Sequence, residues 1–191
     1  MKRLIVVGNK EYDDYHLADQ VDAFDYVCRI NRMTNYYHTG TKIDGIYLGA
    51  WWDWIYVYKG GPYLDIIQEK AKQVFMMEFA YNLNLKEDDK WEYFITPEQH
   101  KNLTLVDFSP GAIRIGWDHP CSSISMIDYF IRTPEWSDNY EIWFTGLDVE
   151  NRGDILASGP QWADGEHKEG GDLERMYLER MMQEGRLHHL K

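Results

Sequence analysis

The chain has 191 residues, 44% of them hydrophobic and 27% charged, an ordinary globular balance, and its length suits a single domain at roughly 150 residues each. A net charge of −12 excludes a phosphate-backbone binder, so no nucleic acid is expected as partner, and it disfavours anionic membranes. The two cysteines, Cys28 and Cys121, lie outside any paired motif, which fits a reducing, cytoplasmic setting, and no apolar run approaches the ~18 residues of a transmembrane segment.

In chain order, "RLIVVG" (3–8) reads as a first strand rather than a leader, and it stops at Gly8-Asn9. A helix-like stretch follows over 14–24. The second strand, 25–30, stops at Asn31, and its Arg29 calls for a carboxylate such as Asp25 or Asp44. A third strand covers 43–49. The tryptophans of "WWDW" (51–54) then either pack under a loop or stack on a sugar or base. A helix over 61–72 starts near Pro62 and places Leu64, Ile67 and Ala71 on one face. Strands at 73–79 and 103–107 flank a polar stretch over 82–92. In "PCSSISMIDYFIR" (120–132), Ile124, Ile127 and Ile131 recur at helical steps behind Ser122 and Ser123, which stand where caps stand. A sixth strand covers 140–146. The last helix spans 170–185, with Asp172 as cap. Leu173, Met176, Tyr177, Arg180 and Met181 share a face, and Arg175 can pair with Glu179. His188 and His189 fall in a solvent-exposed tail.

Strands alternating with helices predict an α/β fold: a Rossmann-like, mainly parallel sheet flanked by helices, in a single domain. In such sheets ligands sit beyond the carboxyl ends of strands. Gly8, Asn9, Asn31, Gly146, Leu147 and Asp148 all lie at such ends. A carboxamide there can donate and accept hydrogen bonds without repelling phosphate. Glycine after a strand lets backbone approach a ligand, although Gly-Asn also suits a plain turn. Ser122 and Ser123 open a helix whose free N–H groups attract anions, or simply cap it. His167 is either a general base or a surface histidine in an acidic loop, and Glu166, Glu169 and Asp172 beside it would favour its protonated form. No G-x-G-x-x-G, Walker loop, Asp-x-Asp pair or His-rich metal spacing occurs, so no metal and no cofactor are expected.

The order of these pieces resembles the sialyltransferases. "VVGN", "DYVCRIN" and "GTK" are similar to the large sialylmotif, and "PCSSISMIDYFI" followed by "EIWFTGLD" to the small one. "HKEGGDLERMYLERM" resembles the segment that carries a catalytic histidine. The resemblance implies a variant GT-A fold, residues 1–191 as a single sialyltransferase-like nucleotide-sugar-binding domain, and an inverting, metal-independent enzyme. It would transfer sialic acid or a related nonulosonate from a CMP-sugar donor to a glycan acceptor hydroxyl. Gly8, Asn9 and Asn31 would meet the donor's phosphate and ribose, Ser122 and Ser123 the sugar or nucleotide, and Gly146 and Leu147 the cytosine. His167 would take the acceptor's proton. Residues 149–166 lack the tyrosines that relatives present to the leaving phosphate, and Arg152 or Trp162 would substitute. Two alternatives stand beside this reading. One is another nucleotide-sugar donor, CMP-Kdo or a UDP-sugar; the other is a degenerate relative that only binds glycan or nucleotide. A homo-oligomer is possible through exposed tryptophans.

Overall fold

The computed structural model describes residues 1–10, 12–49, 64–150 and 165–191, without the side chains of 87–89 and 165–168. The tryptophans of 51–54, Pro62, Arg152 and Trp162 lie outside the described residues. Among the described residues seven strands form one sheet: β1 (Lys2–Val7), β2 (Tyr26–Ile30), β3 (Gly45–Tyr47), β4 (Gln73–Met77), β5 (Leu103–Val106), β6 (Tyr140–Thr145) and β7 (His188–His189). Their order is β5-β4-β3-β2-β1-β6-β7, and every neighbouring pair is parallel. The fold class read from the sequence is therefore the observed one.

Parallel strands are buried on both faces, and the side-chain period of 2 sorts them. On β1, Leu4 and Val6 join Ile127, Phe130 and Tyr177 in one core, while Ile5 and Val7 join Leu17 and Val21 in another. Cys28 and Ile30 of β2 go to the first side and Val27 to the second. A third core gathers Ile46, Val74 and Met76 with Ile67 of the Leu64–Lys70 helix and Ala71 just past its end, while Leu64, expected on the same face, is only partly buried. The 14–24 stretch forms only the Ala18–Asp22 helix. A helix over Pro97–Lys101, unanticipated, opens on a capping box from Thr96 and Gln99.

Three local expectations are corrected. First, the last helix runs Gly165–Gln183, so His167 falls in its first turn instead of ahead of it. Gly170 does not break it: an added Cβ would stand 2.2 Å from the Trp117 ring, so the glycine makes room for packing. Asp172 consequently caps nothing and pairs with Arg175 at 3.3 Å. The buried face holds Glu174, Tyr177, Leu178 and Met181, while Met176 and Arg180 turn outward.

Second, Arg29 makes no ion pair with Asp25, Asp44 or any other carboxylate among the described residues. It is 1% exposed and donates to the carbonyls of Lys42 (2.9 Å), Thr39 (2.8 Å) and Gly40 (3.0 Å) and to Thr39 Oγ1 (3.0 Å). Burial pulls its pKa down to about 10, which leaves it charged at neutral pH. Asp44 instead accepts from the Val27 N–H at 3.1 Å and pairs with Lys72 and Lys42. Third, His188 and His189 are not a free tail. They add β7 to the sheet edge, half-buried, and the His189 ring stacks on Phe144 at 4.3 Å.

The helix beneath the site, Ser122–Arg132, is anchored by a buried carboxylate. Asp128, 1% exposed, receives Arg114 Nε and Nη2 at 2.9 and 2.6 Å and the Tyr177 hydroxyl at 2.8 Å, with Arg132 at 3.4 Å. One side chain thus ties the Ser109–Ile115, Ser122–Arg132 and Gly165–Gln183 helices together. The apposition is close enough that a Cβ on Gly111 would stand 2.7 Å from Asp128 Oδ2.

Candidate functional site

The chain winds from β1 out to β5 on one side and then returns to place β6 on the other side of β1. Strand order reverses between β1 and β6, where an open α/β sheet leaves a crevice at its carboxyl edge. The register brings Val7 opposite Thr145, so Gly8 and Gly146 meet at that edge. Gly8 N–H donates to the Thr145 carbonyl at 2.9 Å, and Lys10 N–H to that of Gly146 at 2.9 Å. A Cβ on Gly8 would stand 2.4 Å from the Gly146 oxygen, and one on Gly146, at φ 72°, 2.6 Å from the Gly8 oxygen. Gly8 therefore serves close approach of two strand ends and lies below the crevice lining.

The crevice encloses about 360 Å³, and its walls include Asn9, Asn31, Ser122, Ser123, Gly146 and Leu147. Sequence reasoning singled out these six from segments far apart in the chain, and the fold brings them together. Lys10, Ile30, Cys121 and Asp148 complete the lining; of these Asp148 was expected on the same rim, and Lys10 was not singled out. Lys10 follows Asn9 directly, so it was reachable from the same strand-end signal.

Asn31 sits in the left-handed region at φ 50°, which asparagine tolerates better than most residues. Its Oδ1 accepts from Gly49 N–H at 2.8 Å and its Nδ2 reaches Ser122 Oγ at 3.4 Å. The buried Tyr47 hydroxyl is near Ser122, and burial raises its pKa far above the ordinary phenol value. Asn31 and Ser122 thus form one polar cluster joining β2, β3 and the helix. Asn9 is held differently. Its carbonyl accepts from Thr34 Oγ1 at 2.8 Å and its Oδ1 from Thr34 N–H at 3.4 Å, while its Nδ2 has no acceptor among the described residues. Asn35, another residue not anticipated, donates from Nδ2 to the carbonyls of Gly8 and Lys10, each at 2.8 Å.

Ser122 and Ser123 do not cap their helix. The cap position falls on Cys121, in extended backbone with no side-chain cap bond. The Cys121 N–H goes instead to Oε1 of Glu174, a fully buried carboxylate on the last helix. The two serines occupy the first turn, facing the crevice beside N–H groups that have no intrahelical acceptor.

His167 belongs to the first turn of the Gly165–Gln183 helix, but its side chain lies outside the description, as does Arg152. Among the described residues no group of three or more His, Cys, Asp or Glu gathers as metal ligands would, and no helix is long and apolar enough to cross a membrane. A larger cavity of about 580 Å³ opens at the amino ends of the strands, lined by Phe75, Trp136 and Tyr140 among others. It faces away from the rim where the strand order reverses.

The fold and crevice define a doubly wound, GT-A-like α/β protein with a polar cleft at its switch point. No family model matches the chain, and no curated protein matches it in sequence. Solved structures do match. The sialyltransferase CstII from Campylobacter jejuni with cytidine-5'-monophosphate superposes at a TM-score of 0.55 with 14% identity, covering 100% of this chain and 80% of that one. CstII with CMP-3FNeuAc gives 0.54 at 16% identity, covering 100% and 81%. CstII with a trisaccharide acceptor and CMP gives 0.52 at 12% identity, covering 98% and 81%. The chain thus has a sialyltransferase-like fold.

Proposed function

We propose that this protein is an inverting, metal-independent glycosyltransferase that takes sialic acid or a related nonulosonate from a CMP-sugar to a glycan hydroxyl. The observation that carries the reading is the convergence of Asn9, Asn31, Ser122, Ser123, Gly146 and Leu147 on one crevice, in a fold shared with structures that hold CMP. In this reading the "VVGN" and "DYVCRIN" segments act as the large sialylmotif, with Asn9 and Asn31 toward phosphate and ribose. Asn9 Nδ2 donates to the nucleotide, while the Asn31–Ser122 pair sets the floor. Gly146 and Leu147 flank the base.

His167, carried near the amino end of the last helix, takes the acceptor hydroxyl's proton. The hydroxyl oxygen then forms a bond to the anomeric carbon, and the bond from that carbon to the phosphate oxygen breaks, releasing CMP with inversion. General base help of this kind contributes roughly a hundred- to ten-thousandfold. Arg152 stands in for the absent phosphate-facing tyrosines. The test measures CMP release from CMP-sialic acid with and without a glycan acceptor. Transfer that falls at least a hundredfold in His167→Ala, with CMP affinity kept, supports the assignment; transfer unaffected by it removes the base. Thermal shifts with CMP and UDP side by side decide the donor, because a ligand that binds only the native state raises Tm.

A further inference from the structure

The geometry points to Lys10 as the cation that receives the donor's phosphate, with Asp148 as the internal counter-ion the phosphate displaces. This rests on the nucleotide reading above and adds the charged pair that reading leaves out. Both residues line the crevice, Lys10 beside Asn9 and Asp148 beside Leu147, and they are its only ionised liners among the described residues. Lys10 Nζ stands 3.7 Å from Asp148 Oδ2, with side chains 45% and 22% exposed. The Lys10 backbone is fixed from two sides, donating to the Gly146 carbonyl and accepting from Asn35 Nδ2.

A half-exposed lysine–carboxylate pair at that distance gains little, because water screens both charges. It is a loose pairing that a phosphate can outcompete, the singly charged diester of the donor and still more the dianionic monoester of CMP. Asp148 meanwhile holds the ammonium at the crevice wall when no nucleotide is bound, and its negative charge opposes a bound phosphate, so neutralising it favours phosphate binding. The neutral carboxamides of Asn9 and Asn31 supply hydrogen bonds but no charge, so Lys10 is the one described liner able to neutralise the phosphate.

The experiment titrates the full-length protein, its Lys10→Gln and its Asp148→Asn variants by calorimetry, using CMP and cytidine as ligands. Both side chains are at the surface of the cleft, and circular dichroism checks that the variants fold. The expected result is that the parent binds CMP at least tenfold more tightly than cytidine. Lys10→Gln should collapse that ratio by roughly ten- to a hundredfold, the worth of a hydrogen bond to a charged group, and leave cytidine affinity in place. Asp148→Asn should tighten CMP and not cytidine. A parent that binds both ligands equally, or a ratio that survives Lys10→Gln, overturns the phosphate role while the nucleotide reading stands. A parent that binds neither ligand overturns the nucleotide reading, and this inference with it.

Discussion

The crevice depends on β1 and β6 ending against each other with no side chain between them, which makes Gly8→Ala a sharp perturbation. The new methyl would lie 2.4 Å from the Gly146 carbonyl oxygen and 2.7 Å from Leu147 Cδ2. Leu147 can swing aside. The carbonyl cannot, because it accepts the Lys10 N–H at 2.9 Å and belongs to a glycine held at φ 72°. Relief therefore requires the strand ends to part. Overpacking of this kind costs about 1–3 kcal/mol, and a backbone obstacle points to the upper half, about 2–3 kcal/mol. At about 2–4 °C per kcal/mol for a chain of this size, Tm should drop by about 4–12 °C. Thermal unfolding followed by circular dichroism reads this directly. Adding Leu147→Ala should recover only a part, since the carbonyl contact remains. A Gly8→Ala variant that melts within about 1 °C of the parent would refute the close-approach role of Gly8.

Other perturbations address the supports around the site. Asp128→Ala strands the Tyr177 hydroxyl and frees Arg114 and Arg132, whose side chains are 41% and 25% exposed and can partly rehydrate. The loss should therefore be about 2–4 kcal/mol, somewhat below that of a fully sealed pair, and urea denaturation showing under about 0.5 kcal/mol would contradict the network. His189 is held below its ordinary value near 6.5, first by burial and then by Lys191 and Lys10. On acidification through about 6.5 the unfolded chain takes up that proton before the native state does, so stability should fall as pH drops and recover as it rises. Melting from pH 7.5 to 5 should show a shallower slope in His189→Gln than in the parent, and equal slopes would refute the shift.

Six strands were legible because parallel strands buried on both faces appear as short apolar runs bounded by polar residues, as "LIVV" and "EIWFT" do. β7 escaped notice because two histidines carry no apolar period, and their placement comes from packing on Trp143 and Phe144. The start of the last helix was misread for a tertiary reason. Gly170 looks like punctuation until the Trp117 ring lies against it. The serines were mistaken for caps because the group that satisfies the Cys121 N–H, Glu174, is 53 residues away. Arg29 was assigned a carboxylate that local sequence offers, whereas the folded 39–42 turn supplies carbonyls instead.

The site was legible to the extent that it follows topology. Once the sheet is parallel, residues just past β1, β2 and β6 share a rim, and Asn9, Asn31 and Gly146 follow from that alone. The pairing of Lys10 with Asp148 and the place of the Tyr47 hydroxyl were not, because they depend on side-chain directions that strand periodicity does not give.

Most direct is a crystal structure of the protein grown with CMP. Nucleotide density bounded by Asn9, Asn31, Ser122 and Gly146, with the phosphate within hydrogen-bond reach of Lys10, is the expected result. CMP seated in the cavity of Phe75, Trp136 and Tyr140 at the opposite edge of the sheet, or a carboxyl-edge crevice that stays empty at saturating nucleotide, would contradict it.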